Sequence, residues 1–578
     1  TRPLVDPDLL RIVKPMKCSR TILASVALAG LASAQIQSAK LLAFDGYTQQ
    51  RFGTEVAADN GWVVVGVRSD SEFGSAAGAA YSFRRRGSDY QFVQKFAGND
   101  TGESDNFGYS AAVDGATCVI GAKSDFPNGL VGAGSAYVFE RTGTTWIQTQ
   151  KLVANPAVPN AAFGWAVALD GDRLLVGARS ENTALFNAGA VYVFERVAGV
   201  WSQTARLTPS VSVAFGFFGQ SVAISGATAL IGSFGPGPVS SNQGAAYVFD
   251  FNGVQWSQVA VLHATDPAPT LAGFGGHVAL GDGFALVGAP SHSHAGISSS
   301  GGVYAFERNG GIWQPAQELL PRAPVSAALF GYDVSISGDF AVIGADVEPS
   351  MVTAFGAAYL FKRTQAGWID VAHLRANDPN VGDRFGGPAV LDGDTAVFGV
   401  QQRNDLCPAL PNCAAGAVYT IDLALDARQF GWCVSGAPCG NHDKYAGCAN
   451  ATTSGATLGA AGSSSVVLDE LRFELRRMQP FKSAVVFMGN AAGQIALGDG
   501  LRSVASAGAG FYRFSVLQSG ADGAAQLASI ASRSLSFPAS GQIQPGAVWS
   551  FQGWYRDPAG PCGSGTNLTN ALEVTFRP

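Results

Sequence analysis

His292 and His294, separated by one serine in a Ser/Gly-rich stretch, are the side chains of this sequence best suited to a transition metal, because a neutral imidazole offers zinc a nitrogen lone pair. With no third ligand close by in the chain, the pair alone predicts neither a metal centre nor a cofactor. A second group, Glu55, His277 and Asp333, shares one place in a repeat, three residues after a Phe, where other copies carry Ser110, Ala166, Ser221 and Pro388. Charged groups on a strand crowded around an axis should face a watered channel, so these three are expected to form a patch able to hold a cation or small ligand. A third set lies in the longer loops: Asp70, Glu72, Asp125, Arg179, Glu181, Asp346, Glu348, Arg403 and Asp405, with His292 and His294, are candidates for contact with a partner. No Gly-x-Ser-x-Gly elbow, phosphate-cradling loop, His-Glu-x-x-His helix or Cys-His pair occurs, so no catalytic residue is assigned. Carboxylates from distant loops could still serve glycosidic chemistry.

The frame that must position these groups is itself repeated. Residues 163–207 show one copy in full: an alternating run to Leu169, a tight Asp170-Gly171-Asp172 turn, a second apolar run ending at Gly177-Ala178, a polar loop, a third run through Tyr192 and Phe194, and a fourth from Trp201 to Leu207. Period-two patterning with Asp-Gly punctuation predicts four short antiparallel strands in a meander. Phe-Gly opens a copy at Phe52, Phe107, Phe163, Phe218, Phe274, Phe330 and Phe385, a period of about 55 residues. The third-strand tyrosine recurs from Tyr81 to Tyr419, and the fourth-strand aromatic recurs as Tyr90, Trp146, Trp201, Trp256, Trp313 and Trp368. A four-stranded unit cannot bury both faces alone, so seven copies predict an all-β, seven-bladed β-propeller. The seventh copy stops after its third strand, while residues 35–44 read like the end of a unit. The N-terminal segment is therefore expected to supply the outer strand of blade seven and leave no open edge. Short turns fall on one face and the long loops and crossovers on the other, which carries the loop candidates.

Phe-Gly at the head of each unit, with Val-Gly-Ala or Ile-Gly-Ala in its second strand (Gly288-Ala289-Pro290 in the fifth copy), resembles the FG-GAP repeat of integrin alpha-chain propellers and many bacterial secreted proteins. The resemblance covers residues 36–422 and implies the propeller fold. In the integrin-type repeat, calcium sits on alternating Asp oxygens in the loop between strands one and two. Here that loop has shrunk to tight turns such as Asp59-Asn60-Gly61, Asp114-Gly115 and Asp392-Gly393-Asp394, too small to wrap an ion. These aspartates are read as turn formers, and the calcium role is not carried over. The acidic crossovers 99–105 and 377–383 leave room for weak calcium binding.

Only 14% of residues are charged, with 37 Lys+Arg against 43 Asp+Glu, and 73 are glycine. That suits a turn-rich β protein and excludes the basic surface of a nucleic-acid binder. Arg84-Arg85-Arg86 is read as a solvated hairpin end. Met16-Lys17-Cys18-Ser19-Arg20, the apolar stretch 22–31 and Ala32-Ser33-Ala34 match a secretory signal peptide cleaved before Gln35, with Met16 as the start and residues 1–15 upstream of it. The stretch is too short to span a bilayer, and no later segment could. The expected domains are thus 1–34 upstream residues and signal, 35–422 propeller, and 423–578 an all-β C-terminal module. Secretion also fits the cysteines. Cys118 is expected as a buried free thiol, Cys407 pairs with Cys413 in one loop, and Cys433, Cys439, Cys448 and Cys562 pair in one of three ways.

Strand-like runs at 465–468, 471–475, 484–488, 511–516, 548–555 and 572–576 predict a small β-sandwich, with 472–477 able to form a short helix instead. Segments 433–450 and 554–570 resemble a C-terminal module carried by many secreted bacterial proteins of differing architecture, although Ala437 and Ser503 stand where that pattern has cysteines. The resemblance implies sorting, surface attachment or carbohydrate contact. The functional expectation is a secreted, non-enzymatic scaffold that binds extracellular protein or glycan through its long-loop face. Its rivals are a polysaccharide hydrolase or lyase and a purely structural matrix component.

Overall fold

The computed structural model describes residues 32–576 apart from short segments, of which 238–242, 266–272 and 404–414 are the longest. Alternating apolar residues broken by tight turns fold as six successive four-stranded antiparallel meanders; blade one consists of Glu55–Asp59, Trp62–Val67, Ala79–Arg86 and Asp89–Phe96. The seventh sheet joins Ala389–Asp392, Thr395–Val400 and Ala417–Phe430 to the N-terminal strand Ala32–Leu41, which runs antiparallel to the last of these. Lys40 stands opposite Tyr419 and Leu41 opposite Val418. The innermost strands touch in a ring that closes from Ala389–Asp392 back to Glu55–Asp59. The chain is therefore a seven-bladed propeller whose last blade is completed by its N-terminal strand. That strand begins at Ala32, so its pairing takes in three residues ahead of Gln35.

The recurring Phe-Gly and Gly-x-x-Tyr motifs are the contacts between blades. The seven Phe rings are buried and rest on the third-strand Tyr of their own blade at 5.2–6.0 Å between centroids. Their backbones bridge to a glycine of the preceding blade, from Gly78 with Phe107 round to Gly416 with Phe52. At Gly134 (φ +84°) a Cβ would stand 2.1 Å from the Phe163 carbonyl oxygen, and at the second-strand Gly121 it would stand 2.1 Å from that of Gly164. Backbones of adjacent blades thus meet where a side chain would otherwise be, which only glycine permits. The hairpin aspartates also act between blades. Asp59 accepts the Gly115 N–H (2.8 Å), Asp114 that of Gly171 (2.6 Å), and Asp392 that of Gly61 (3.0 Å). At the rim, Gln94 exchanges two hydrogen bonds with the Trp146 backbone of the next blade (2.8 and 3.0 Å).

The strand Ala417–Phe430 runs through position 422 without a break and pairs with Gly565–Thr575, so the C-terminal β domain continues the sheet of blade seven. Its core lies between that sheet and a smaller one: Leu458, Phe473, Leu475 and Leu527 pack on Val486, Trp549, Phe551 and Leu572. Cys433 bonds to Cys448 and Cys439 to Cys562, which selects one of the three pairings. Cys118 is a buried free thiol, while Cys407 and Cys413 lie outside the described residues. Arg472–Arg476 is a strand, which corrects the helical alternative. The run at 511–516 shortens to Tyr512–Arg513, and part of 465–468 lies outside the described residues. The hairpin of Ala491–Leu497 with Gly500–Ala505 and the helix Ile530–Ser534 were not legible, because small Gly, Ala and Ser side chains leave little periodic contrast.

Candidate functional site

Each two-to-three loop starts where a second strand ends, and in blades one to three one acid of the loop turns inward onto the third-strand tyrosine. In blade one the carboxylate of Asp70 accepts from Tyr81 Oη (2.9 Å) and Gln50 Nε2 (2.9 Å) and pairs with Lys95 Nζ (2.9 Å). Lys95 also reaches Asp45 and Glu72, each at 2.6 Å. Blade two repeats this with Asp125, Tyr137 (3.1 Å) and Lys151 (2.7 Å), and blade three with Glu181, Tyr192 (2.9 Å) and Arg206. In blade seven Asp378 accepts from Tyr419 (2.8 Å), Lys40 (2.8 Å) and Arg403 (2.8 Å), and Arg403 also pairs with Asp383 (2.7 Å). The N-terminal strand thus delivers at Lys40 the cation that blades one to three carry on their own fourth strand.

These clusters correct the sequence-based placement. Asp70, Asp125, Glu181, His292, Asp346 and Arg403 are 5% or less exposed, so they do not present themselves on the loop surface. A buried tyrosine hydroxyl and a buried ammonium both need acceptors, and the loop acids supply them. Burial works against the charge of Lys95, but Asp45, Glu72 and Asp70 outweigh it and hold its pKa above the ordinary value. Burial pushes Tyr192 up to about 12, with the charge of Glu181 adding to it. In the crossovers, Asp100 pairs with Lys151 (2.6 Å), while Asp105 and Asp383 accept backbone N–H groups at 2.6 Å. Glu72 is exposed apart from its pair with Lys95, and Arg179 and His294 are half-buried. Glu348 and Asp405 lie outside the described residues.

Asp346 gives a measurable pH signature. Burial pushes its carboxyl up to about 6, even though Arg384 donates to it at 3.1 Å. The folded state therefore holds this proton to a higher pH than the unfolded chain does. The group contributes stability below about pH 4 that is lost as pH rises through 6. Thermal melts of Asp346→Asn should show the variant gaining on the wild type from pH 4 to pH 7, by on the order of 1–3 kcal/mol.

Further in, the channel residues do come together in part. His277 Nδ1 lies 3.2 Å from Asp333 Oδ1. Burial, then the charge of Asp333, pushes Glu55 well above the carboxylate range. Among the described residues, Glu55 does not approach this pair closely enough to share one ion. His277 and Asp333 stay partly exposed, at 35% and 20%, while other contacts of this ring of positions reach across to the next blade. Ser110 donates to the Gly164 carbonyl (3.0 Å), Ser221 to that of Gly275 (3.1 Å), and Asp333 accepts the Ala389 N–H (2.8 Å). Inner strands so close together make the neighbouring backbone a partner of Ser110, Ser221 and Asp333.

A second cluster at the channel mouth went unread in the sequence except for Arg179. Arg68, Lys123 and Arg179 follow the second strands of blades one to three, and Tyr109 and Trp165 follow the Phe-Gly of blades two and three. Lys123 Nζ lies 4.8 Å from the centre of Tyr109 and 5.2 Å from that of Trp165; the Arg68 guanidinium is 5.3 Å from Tyr109 and that of Arg179 is 3.4 Å from Trp165. The two rings pack at 4.6 Å. Arg179 also donates to Gln220 Oε1. Among the described residues none of the three cations is in an ion pair. Burial, then Arg68 and Arg179, lowers the pKa of Lys123, and burial lowers that of Arg179. Three like charges are thus held together by ring faces, at an electrostatic cost that an anion would relieve.

No curated protein matches this chain. Among solved structures, a chain of one described as "Crystal Structure of Mitotic Checkpoint Complex" is similar at a TM-score of 0.40 and 11% identity, over 67% of this chain and 93% of that one; so loose a likeness carries no argument. The profile of the FG-GAP repeat matches residues 36–83, 90–139, 146–194, 201–249, 256–306 and 313–361, together just over half of the chain. Each matched segment begins on the outer strand of one blade and ends on the third strand of the next, so the first of them spans the closure made by the N-terminal strand. With its repeats in phase with its blades, the chain belongs to the FG-GAP repeat family.

Proposed function

We propose that this propeller is a secreted, non-catalytic scaffold that binds an acidic glycan at the mouth of its channel, on the long-loop face. The observation that carries the reading is the set of Arg68, Lys123 and Arg179, fixed by Tyr109 and Trp165 and unmatched by ion-paired carboxylates. Lys123 donates to Ser124 (3.3 Å) and Arg179 to Gln220, but ring faces position a cation without consuming N–H donors, so others stay available to a carboxylate or sulfate. Secretion is supported by the signal-like residues 16–34 and by the two disulfides. No helix among the described residues is long and apolar enough to cross a membrane. The C-terminal β domain, continuous with blade seven, would serve as the tether or sorting element.

Calorimetric titration of the purified chain with an oligogalacturonate, beside a neutral maltooligosaccharide of equal length, tests this. The acidic sugar should bind, more weakly in high salt, and Lys123→Ala and Arg179→Ala should each weaken it about tenfold, equivalent to about 1.4 kcal/mol. Equal binding of the neutral sugar, or binding untouched by both substitutions, would reject the reading. Release of shortened products would favour the hydrolase or lyase instead.

A further inference from the structure

Blade five breaks the pattern of acid in the loop and cation on the fourth strand. Where blades one to three place Asp70, Asp125 and Glu181, it places His292. Where they place Lys95, Lys151 and Arg206, opposite the tyrosine, it places Glu318, paired in register with Tyr304. His294 follows in the same loop, so two imidazoles face one carboxylate, and Glu318 stands at the strand position that Lys95 and Lys151 hold in blades one and two. His292 Nε2 and His294 Nδ1 each lie 3.7 Å from Glu318 Oε1, and the three ligand atoms fall within 4.8 Å of one another. Glu318 Oε1 is buried and accepts no hydrogen bond among the described residues.

We propose that His292, His294 and Glu318 form a zinc site that pins the two-to-three loop of blade five to its outer strand. A tetrahedral zinc with bonds of about 2.0–2.1 Å sets its ligand atoms about 3.4 Å apart. The observed 3.7 Å is close to that edge and longer than the 2.6–2.9 Å contacts of Lys95 and Lys151 with the corresponding acids of blades one and two. Two neutral nitrogens and one carboxylate suit zinc, whereas calcium would require six or more oxygens. The loop holds the ligands in place: the His292 N–H donates to the Ala289 carbonyl (3.0 Å), and the turn at His294 is closed by the Ile297 N–H (2.9 Å). Three ligands among the described residues leave the fourth tetrahedral position to a further donor such as water. The sequence shows only the two histidines; the third ligand comes from a strand two dozen residues on, by way of the hairpin register.

The test uses the full chain, stripped with a chelator and then given Zn²⁺, Ca²⁺ or Co²⁺. The expected result is one equivalent of zinc retained through gel filtration, a rise in Tm with Zn²⁺ and none with Ca²⁺, and the visible absorption of tetrahedral Co²⁺. His294→Ala and Glu318→Gln change half-buried residues, and each should fold while binding zinc roughly 100-fold more weakly, since even outer-shell changes cost tenfold to 100-fold. Wild-type protein that retains no zinc would overturn the proposal. So would zinc held equally well by both variants, which would place the metal elsewhere.

Discussion

Gly134→Ala should abolish the folded propeller, while Gly143→Ala should cost only about 1–2 kcal/mol, the usual strain of an alanine at positive φ. Both glycines have left-handed backbone, at φ +84° and +63°, so conformational preference alone does not separate them. Space does. A Cβ at Gly143 meets nothing within 4 Å, whereas at Gly134 it meets the Phe163 oxygen at 2.1 Å, the Phe163 nitrogen at 2.7 Å and the Lys123 oxygen at 2.9 Å. All three are backbone atoms, so no rotamer change relieves the clash and blades two and three must separate. Separation breaks the hydrogen bond from the Phe163 N–H to the Ala133 carbonyl (2.9 Å) and opens the core in which Phe163 packs with Val138, Leu174 and Tyr192. Exposing several such side chains exceeds about 5 kcal/mol, within the range of a domain's whole stability. Urea melts and gel filtration of both variants check this. Similar modest losses in the two would show that the Gly-x-x-Tyr glycine is a turn residue and not a contact between blades.

The fold was legible because its markers recur in phase, and each marker has a packing cause. Phe163 fills the blade core, Gly134 admits the neighbouring backbone, and Asp114 caps the next hairpin. The loop acids misled for a physical reason. A charged residue in a polar loop reads as solvated unless its partner is known, and the partners of Asp70 and Asp125 lie on another strand. The partner's signal was nonetheless present. Lys95, Lys151 and Arg206 each follow their tyrosine by fourteen residues, which the hairpin register converts into direct opposition. The same offset exposes Glu318 as the exception. The cation–ring cluster was hidden differently, since Arg68 and Lys123 are single residues after a strand: the first hairpin of blade two sets Lys123 beside Tyr109, and only the packing of blade one on blade two brings Arg68 there. In the C-terminal domain, strands such as Ala427 with Val574 pair across more than a hundred residues, and nothing local announces such a register.

The closing strand yields the second large effect. A chain lacking residues 35–44 should not yield a monomeric, cooperatively melting propeller. Those residues supply most of the outer strand of blade seven, from Gln35 to Leu41, and with them go the buried Ala39 and Leu41, the Ser38–Thr420 hydroxyl contact (3.0 Å) and the Lys40 ion pair with Asp378 (2.8 Å). What remains exposed is the edge of Ala417–Phe430, whose run Ala417-Val418-Tyr419-Thr420-Ile421 is apolar and β-prone, a template for pairing with other chains. Tyr419 and Asp378 would also lose a cation that touches both, the Lys40 Nζ lying 2.8 Å from the Asp378 carboxylate and 5.4 Å from the centre of the Tyr419 ring. Lys40→Met separates that ion-pair contribution from the strand itself. It should fold, with a loss of no more than about 1 kcal/mol, because the Asp378 carboxylate is half exposed and Arg403 still reaches it at 2.8 Å. A synthetic peptide of residues 35–45 added in trans should restore a monomeric species to the truncated chain, as an added strand satisfies an open edge. If the truncated chain melts like the wild type without the peptide, the ring is closed by the other six blades alone, and the N-terminal strand is only an appendage to it.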